Sequence, residues 1–299
     1  MLTWLKTFCA LTSPLAGRLV RSLATVTVAV ILLGSMALAQ SSPASGREVT
    51  ANELARRVVA NELKFQDEDH AQWMYRQEKE ESGKKQVVRI VETKDGSLSR
   101  LLSINGHPLT AKQLQKENLR IQELVNSPSE QRRLQRARNT ETEPGRRLFK
   151  MLPDAFVFHY AGREGSLVKL SFRPNPTFRP PSFEARVFHD IEGELWVDAQ
   201  QERLAAINGH LVEDVGFAGG LLGRLDKGGH VEVRQAEVGA GHWEMAALAV
   251  DMKGKALLFK TINVHQAEIR SDFQRVPDDL TFAQAEEILN GQIVLAEKR

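Results

Sequence analysis

The segment Phe183–Asp198, FEARVFHDIEGELWVD, is the clearest indication of the fold class, because apolar and charged residues alternate along it. One parity carries the apolar residues Phe183, Ala185, Val187, Ile191, Leu195 and Val197. The other parity carries the charged residues Glu184, Arg186, Asp190, Glu192, Glu194 and Asp198. Successive side chains of a strand point to opposite faces, so this period of two predicts strands with one apolar face. An antiparallel sheet of this kind must bury that face against a second sheet, a helix or a ligand.

Alternation of the same kind continues along most of the chain. It predicts strands near residues 73–80, 86–93, 98–104, 155–160, 167–172, 183–189, 193–199, 203–208, 210–213, 230–237, 243–252 and 256–270. Asn105-Gly106 predicts a type I′ turn, because both central positions of that turn need positive φ. The four residues Ile104–His107 recur as Ile207-Asn208-Gly209-His210, which predicts a second hairpin turn. The recurrence fits either a weak internal duplication or two independent hairpins.

Capping boxes mark the predicted helices, since a hydroxyl and a carboxylate or amide side chain bind the first free amides of a helix. Thr50-x-x-Glu53 and an apolar stripe predict an amphipathic helix over 51–64 that covers the sheet. A helical insert at 111–152 is predicted to hold three helices, which start after Thr110, after Ser127 and at Glu143-Pro144. A last helix is predicted from Thr281 to Asn290-Gly291.

The insert is rich in arginine. We assign three of its residues as contacts for a lipid head group or a protein partner: Arg132, Arg133 and Arg136. A solvated helix face is the simpler interpretation of such a run.

The N-terminal residues have the pattern of a secretory signal. Three basic residues precede the apolar stretch Leu23–Gly34, and Ala37-Leu38-Ala39 provides a small-x-small cleavage site. We therefore predict a signal peptide over 1–39, a disordered leader over 40–49, and a periplasmic or secreted protein of a bacterial envelope. An uncleaved membrane anchor is the alternative, because the apolar stretch approaches the shortest length that spans a bilayer.

Charge and cysteine content exclude some classes of function. Removing Lys6, Arg18 and Arg21 from the 40 basic residues leaves 37, against 38 acidic residues. The mature chain is therefore close to neutral, and its net charge does not suggest nucleic-acid binding. The single cysteine, Cys9, lies in the predicted signal, so the mature chain has no thiol for disulfides, metal binding or nucleophilic catalysis.

No catalytic or metal-binding motif stands out in the sequence. The eight histidines lack the HExxH spacing of zinc proteases, and there is no G-x-S-x-G nucleophile motif. Four carboxylates, Asp190, Glu192, Glu194 and Asp198, could be interpreted as the acid pair of a glycosidase. Their shared parity is more typical of the solvated side of a strand. We predict a protein that is not an enzyme and has no cofactor or metal.

A glycine-rich segment, Gly216–Gly229, separates two groups of predicted strands. It carries exposed apolar residues without the G-K-S/T sequence of a phosphate-binding loop. We interpret Phe217, Leu221 and Leu222 as a flap over an apolar cavity or against a membrane. A loop packed over one end of the barrel is the alternative.

The strand Gly193-Glu194-Leu195-Trp196-Val197-Asp198, followed by Arg203-Leu204, resembles the LolA/LolB-type bacterial outer-membrane lipoprotein-sorting proteins. The first amphipathic helix and the one-faced strands extend the resemblance over roughly residues 50–290. The resemblance implies an unclosed β-barrel around helices, whose concave apolar face holds acyl chains. The insert and the glycine-rich segment depart from that family.

These observations predict a single LolA-like domain over 50–299. Its fold class is α+β, mostly antiparallel, with an unclosed half β-barrel of about ten strands that wraps helices. The predicted function is a monomeric, non-enzymatic binder or carrier of a lipid or lipidated protein, with an envelope membrane protein as a further partner. The alternative is an envelope-sensing module that binds a protein through the basic insert. The residues predicted to line the apolar cavity are Val187, Leu195, Val197, Trp243, Met245, Phe259 and Ile262; ordinary core packing is the alternative for each.

Overall fold

The computed structural model describes residues 49–182, 184–217, 223–256 and 260–297. The predicted signal peptide and all of the predicted leader except Val49 lie outside these residues. No helix within the described ranges is long and apolar enough to cross a membrane.

The chain forms four α-helices and thirteen β-strands in its described part. The helices are α1 (Ala51–Glu68), α2 (Ala111–Val125), α3 (Pro128–Ala155) and α4 (Phe282–Glu297). The first strands are β1 (Gln72–Glu81), β2 (Lys84–Thr93), β3 (Gly96–Ile104), β4 (His107–Pro108), β5 (Phe156–Glu164) and β6 (Leu167–Pro174). After a 3₁₀ helix (Glu184–His189) come β7 (Ile191–Asp198), β8 (Arg203–Leu211), β9 (Val215–Phe217), β10 (Gly223–Leu225), β11 (His230–Gly239), β12 (His242–Ala256) and β13 (Lys260–Val276).

All the strands belong to one antiparallel sheet that does not close. Its order is β4-β3-β2-β1-β13-β12-β11-β8-β7-β6-β5, and β10 pairs with both β12 and β9. The α+β class and the unclosed antiparallel sheet are therefore confirmed, with thirteen strands in the described residues rather than about ten. The two end strands, β4 and β5, are consecutive in the chain, so α2 and α3 lead from one edge of the sheet to the other.

Two apolar cores hold the helices on this sheet. The main core joins α1, the C-terminal part of α3 and the 3₁₀ helix to strands β5–β12. The second core joins α2 and α4 to β1–β3 and the end of β13. Tertiary packing of amphipathic faces, rather than helix propensity, accounts for most of such helical stability.

Side chains from the helices cover both edges of the sheet. On the β5 edge, the Asn52 amide accepts a hydrogen bond from the Phe158 N–H at 3.1 Å and donates to the Phe156 carbonyl at 3.4 Å. On the β3 edge, Glu117 accepts from the Leu101 N–H at 2.8 Å, and Arg120 donates to the Ser99 carbonyl at 2.5 Å. Each helix thus supplies bonds that a neighbouring strand would make. Covering an edge in this way reduces its tendency to pair with another chain.

The predicted strand at 183–189 is wrong, because residues 184–189 form the 3₁₀ helix. Phe183 lies outside the described residues. The Ser182 hydroxyl accepts a hydrogen bond from the Ala185 N–H at 3.3 Å, which starts a helical turn after the two prolines. Ala185 and Phe188 are buried three positions apart, as helical spacing requires. The alternation becomes a true strand only at Ile191.

The predicted turn at Asn208-Gly209 is also wrong, because both residues lie within the continuous strand β8. Gly209 pairs with Gly193 on β7, and the Phe172 ring lies over both glycines. A Cβ at Gly193 would come within 1.9 Å of the Asn208 carbonyl oxygen and within 2.8 Å of the Phe172 ring. Gly193 therefore allows close approach of the β8 backbone and the Phe172 ring, whereas Asn105 and Gly106 have the positive φ that the sequence predicted.

Two helix boundaries also differ from the prediction. The second and third helices of the insert are one helix, α3, which continues through Pro144 and Pro153. Buried residues such as Leu148 and Phe149 anchor its C-terminal part in the main core, and this packing outweighs the backbone bonds that proline removes. Helix α4 continues beyond Gly291, and Arg100 binds the Asn290 side chain at 2.6 Å instead of leaving it to end the helix.

Candidate functional site

A small apolar cavity lies between α1, the end of α3 and strands β5–β8. Every described side chain that lines it is apolar: Ala55, Val58, Val59, Phe149, Leu152, Phe156, Phe158, Phe172, Leu195, Leu204 and Ile207. The cavity holds about 10 Å³, which is room for one water-sized sphere. Pockets that bind small molecules commonly have about 300–1,000 Å³. A guest molecule would therefore need one of the covering helices to move.

The local sequence explains how the cavity is built. Ala55, Val58 and Val59 follow one another at helical spacing, which places them on the face of α1 that meets the sheet. Phe149 and Leu152 project from α3 at the same spacing. The strands contribute residues from the face of the sheet that the helices cover. The cavity thus lies where two helices pack against four strands.

Aromatic rings form one wall of this zone and continue beyond it. The Phe156 ring lies 4.8 Å from Phe172 and 5.4 Å from Phe188, measured between ring centroids. Phe188 is followed by Phe178 at 6.4 Å, and Phe178 by His189 at 6.1 Å. These separations are within the range of favourable edge and offset contacts between rings. The row of rings connects the cavity to the protein surface at His189.

A buried ion pair fixes α1 on the sheet beside the cavity. The Arg203 Nε donates to Glu62 Oε1 at 2.7 Å, and their side chains are only 2% and 0% exposed. The same carboxylate accepts from the Leu204 N–H at 2.9 Å, and the Phe65 ring centroid lies 3.9 Å from the guanidinium carbon. The sequence does not predict this pair, and its one signal is that Glu62 falls within the apolar stripe of α1.

Four of the residues predicted to line an apolar cavity are fully buried. Val187, Leu195, Val197 and Met245 belong to the main core, with exposures between 0% and 5%. Of these, Leu195 lines the cavity. The other three pack within the core around it, so their role in ligand binding stays a prediction.

The remaining predicted lining residues lie further out. Trp243 is half-buried, and its indole N–H donates to Gln201 Oε1 at 2.9 Å. Ile262 is half-buried and packs against the main core. Phe259 lies outside the described residues.

The glycine-rich segment is described at its two ends. Strands β9 and β10 pair with each other, and Leu225 is fully buried in the main core. Phe217 ends β9, while Leu221 and Leu222 lie outside the described residues. The flap over a cavity or membrane therefore stays a prediction.

The three predicted contact arginines are exposed on α3. Arg133 forms an ion pair with Glu130 at 2.7 Å, one helical turn away. Arg132 and Arg136 are exposed on the same helix. They lie away from the residues that line the apolar cavity.

The carboxylates that could have formed a glycosidase acid pair have separate structural contacts. Glu194 binds Lys169 at 2.6 Å, and Asp198 accepts from the backbone N–H groups of Gln200 and Gln201 in the turn after β7. Glu192 and Glu194 line an open cleft of about 570 Å³ on the outer side of the sheet. No group of three or more potential metal ligands occurs in the part of the chain that the structure describes.

A second open cleft, of about 410 Å³, lies at the outer end of the aromatic row. Arg179, Arg186 and His189 line it together with Asp190 and Val215. Burial raises the pKa of Asp190, an effect that His189 opposes and Glu213 reinforces. This basic cleft was not predicted, because its residues come from three separate segments.

Comparison with known proteins adds no identification. No protein-family model matches the chain, and no curated protein matches it significantly. The function is therefore argued from the geometry of the site.

Proposed function

We propose that this protein is a non-enzymatic binder or carrier of a lipid or lipidated protein in the periplasm of a bacterial envelope, with a LolA-like fold. The observation that supports this proposal is the apolar cavity between the helices and one face of an unclosed sheet. Burial of an acyl chain yields about 0.8 kcal/mol per CH₂ group, so such a site needs little directional chemistry.

The acyl chain enters by displacing part of α3. Helix α1 is held by the buried pair of Glu62 and Arg203, whose separation would leave a charge without a partner in the core. Helix α3 instead contains Pro144 and Pro153, and each removes a backbone hydrogen bond from the helix. The segment between them carries Phe149 and Leu152 into the cavity. Exchange of these side chains for an acyl chain preserves apolar contact.

A delipidated full-length protein should take up one acyl chain, measured by native mass spectrometry with palmitate and monopalmitoylglycerol. Phe149→Ala should increase occupancy, because it enlarges the cavity and weakens the cover. The matched control is Leu280→Ala, which removes a buried side chain from the second core. Failure of all three proteins to retain either acyl probe would refute the proposal.

The alternative, a sensing module that binds a protein partner, is favoured by the exposed arginines of α3. Deleting the insert would not test it cleanly, because Leu148, Phe149 and Leu152 belong to the main core. Reversing the charge at Arg132, Arg133 and Arg136 avoids that problem. Crosslinking in envelope extracts should be unchanged in this triple variant if the protein is a carrier, and lost if it is a sensor.

A further inference from the structure

The basic cleft combines positive charge with contact to the main apolar core. Arg179, Arg186 and His189 line it, and Asp190 is the acidic residue among its lining side chains. Val215, which also lines the cleft, is 3% exposed and belongs to the main core. The cleft is therefore a polar opening whose floor is part of the apolar interior.

The cleft is built on a rigid loop. Pro174, Pro176, Pro180 and Pro181 restrict the backbone before the 3₁₀ helix. Within this loop Arg179 Nη1 donates to the Pro176 carbonyl at 3.2 Å and to the Phe178 carbonyl at 3.3 Å. These bonds use Nη1 alone, so Nε and Nη2 form no hydrogen bond with the described residues. A preorganised donor loses less entropy when it binds.

The row of aromatic rings runs from the wall of the apolar cavity to the basic cleft. Phe156 belongs to the cavity wall, and Phe188 and Phe178 lead from it to His189 at the cleft. Helix α3, the proposed moving element, contacts both β5 and the 3₁₀ helix. Withdrawal of α3 would therefore uncover part of β5 and of the 3₁₀ helix, the elements that carry Phe156 and Phe188.

We propose that this cleft binds the anionic head group of the amphiphile, a phosphate ester, while its acyl chain lies in the cavity. This inference rests on the proposed function and specifies its ligand class. Guanidinium groups suit phosphate because they offer several charged donors in a fixed plane. The exposed arginines of α3 lack this link to the interior.

The test compares two probes with the same acyl chain. Palmitoyl lysophosphatidic acid carries a phosphate monoester, and monopalmitoylglycerol does not. Titration calorimetry with the full-length protein should show that the phosphate probe binds at least about tenfold more tightly, which corresponds to one charge-assisted contact. Arg179→Ala and the double variant Arg179→Ala/Arg186→Ala should remove that advantage and leave the neutral probe unchanged.

The control is Lys112→Ala/Lys116→Ala, which removes the same charge from the exposed surface of α2 and should retain the full preference. Thermal melts of each variant report whether the fold is kept. Equal affinity for both probes, or an equal loss in the control, would overturn the head-group inference while the proposed function stands. Inorganic phosphate that binds as tightly as the lysophospholipid would also overturn it, in favour of a free-phosphate site. Absence of binding by the neutral probe would instead count against the proposed function.

Discussion

The two cores differ in how they satisfy a buried arginine. Each core contains such an arginine on a strand, in contact with a covering helix. In the main core Arg203 on β8 meets the carboxylate of Glu62 on α1, so the two charges compensate each other. In the second core Arg100 on β3 donates to the neutral amides of Asn118 and Asn290, each at 2.6 Å. Both arginines are 2% exposed, but the Arg100 Nε has no hydrogen-bond partner.

This difference in the partner of the arginine implies that α1 is held more firmly on the sheet than α2 and α4. An ion pair between two buried groups is costly to break, because either partner alone is a charge in a medium of low polarity. An arginine bound by amides can lose one bond at lower cost. Burial lowers the pKa of Arg100, while Glu117 and Glu286 act in the opposite direction. We therefore expect α1 to be the most firmly fixed helix.

The largest effect is expected for Arg203→Met. It leaves Glu62 buried without its cation and should lower the free energy of unfolding by about 3–5 kcal/mol. The double variant Glu62→Met/Arg203→Met should recover part of this loss. Urea unfolding of both variants and of Glu62→Met gives the coupling energy. Simple additivity of the two single changes would contradict the proposed pairing.

Arg100→Met should cost less, about 1–3 kcal/mol, because the side chains that lose a hydrogen bond are neutral amides. The same urea series would measure it. A loss as large as that of Arg203→Met would show that the two cores do not differ in the way described.

The effect of pH should distinguish the cores further. Burial opposes ionisation of Glu117, but hydrogen bonds from Arg120 and the Leu101 N–H outweigh it and lower its pKa below the ordinary 4.5. A depressed folded pKa stabilises the protein above the unfolded pKa, and this contribution is lost as the pH falls below about 4.5. Glu117→Gln should cost about 1–2 kcal/mol at pH 7 and progressively less in acid. An unchanged pH dependence of the unfolding midpoint in this variant would contradict the assignment.

The smallest change in stability is expected at the β5 edge. Asn52→Ala removes two hydrogen bonds and should cost about 1 kcal/mol. It also uncovers the backbone at Phe156 and Phe158 and should promote self-association at high concentration, measured by light scattering. Asn61→Ala is the control, since Asn61 also lies on α1 but donates to the Glu202 carbonyl, away from that edge. Equal association of the two variants would exclude the edge as the cause.

Local signals predicted much of the fold. The capping box at Thr50 gave the start of α1, and the strands β1 to β3 agree with the predicted spans to within two residues. The turn at Asn105-Gly106 was correct because both residues need positive φ. These features depend on residues close together in the sequence, where periodicity and capping chemistry act directly.

The features that the sequence predicted wrongly or not at all depend on contacts between residues distant in the sequence. The second Asn-Gly pair is not a turn, because Asn208 and Gly209 pair with Glu194 and Gly193 in the ladder between β8 and β7. The partnership of Glu62 with Arg203 joins positions 141 residues apart, which no local pattern reports. The cavity combines helix and strand residues in the same way. These features therefore depend on tertiary packing, which the periodicity of the sequence does not report.

The pairing of β1 with β13 has a consequence for the order in which the polypeptide acquires its structure. Arg275 on β13 reaches the Gln72 carbonyl of β1 across 203 positions of sequence. Closing so long a loop carries an entropic cost before any contact rewards it, and such topologies fold slowly. Strands β5 to β8 are neighbours in both sequence and space and can assemble early. During synthesis the N-terminal strands must wait for almost the entire chain before they gain their final neighbour.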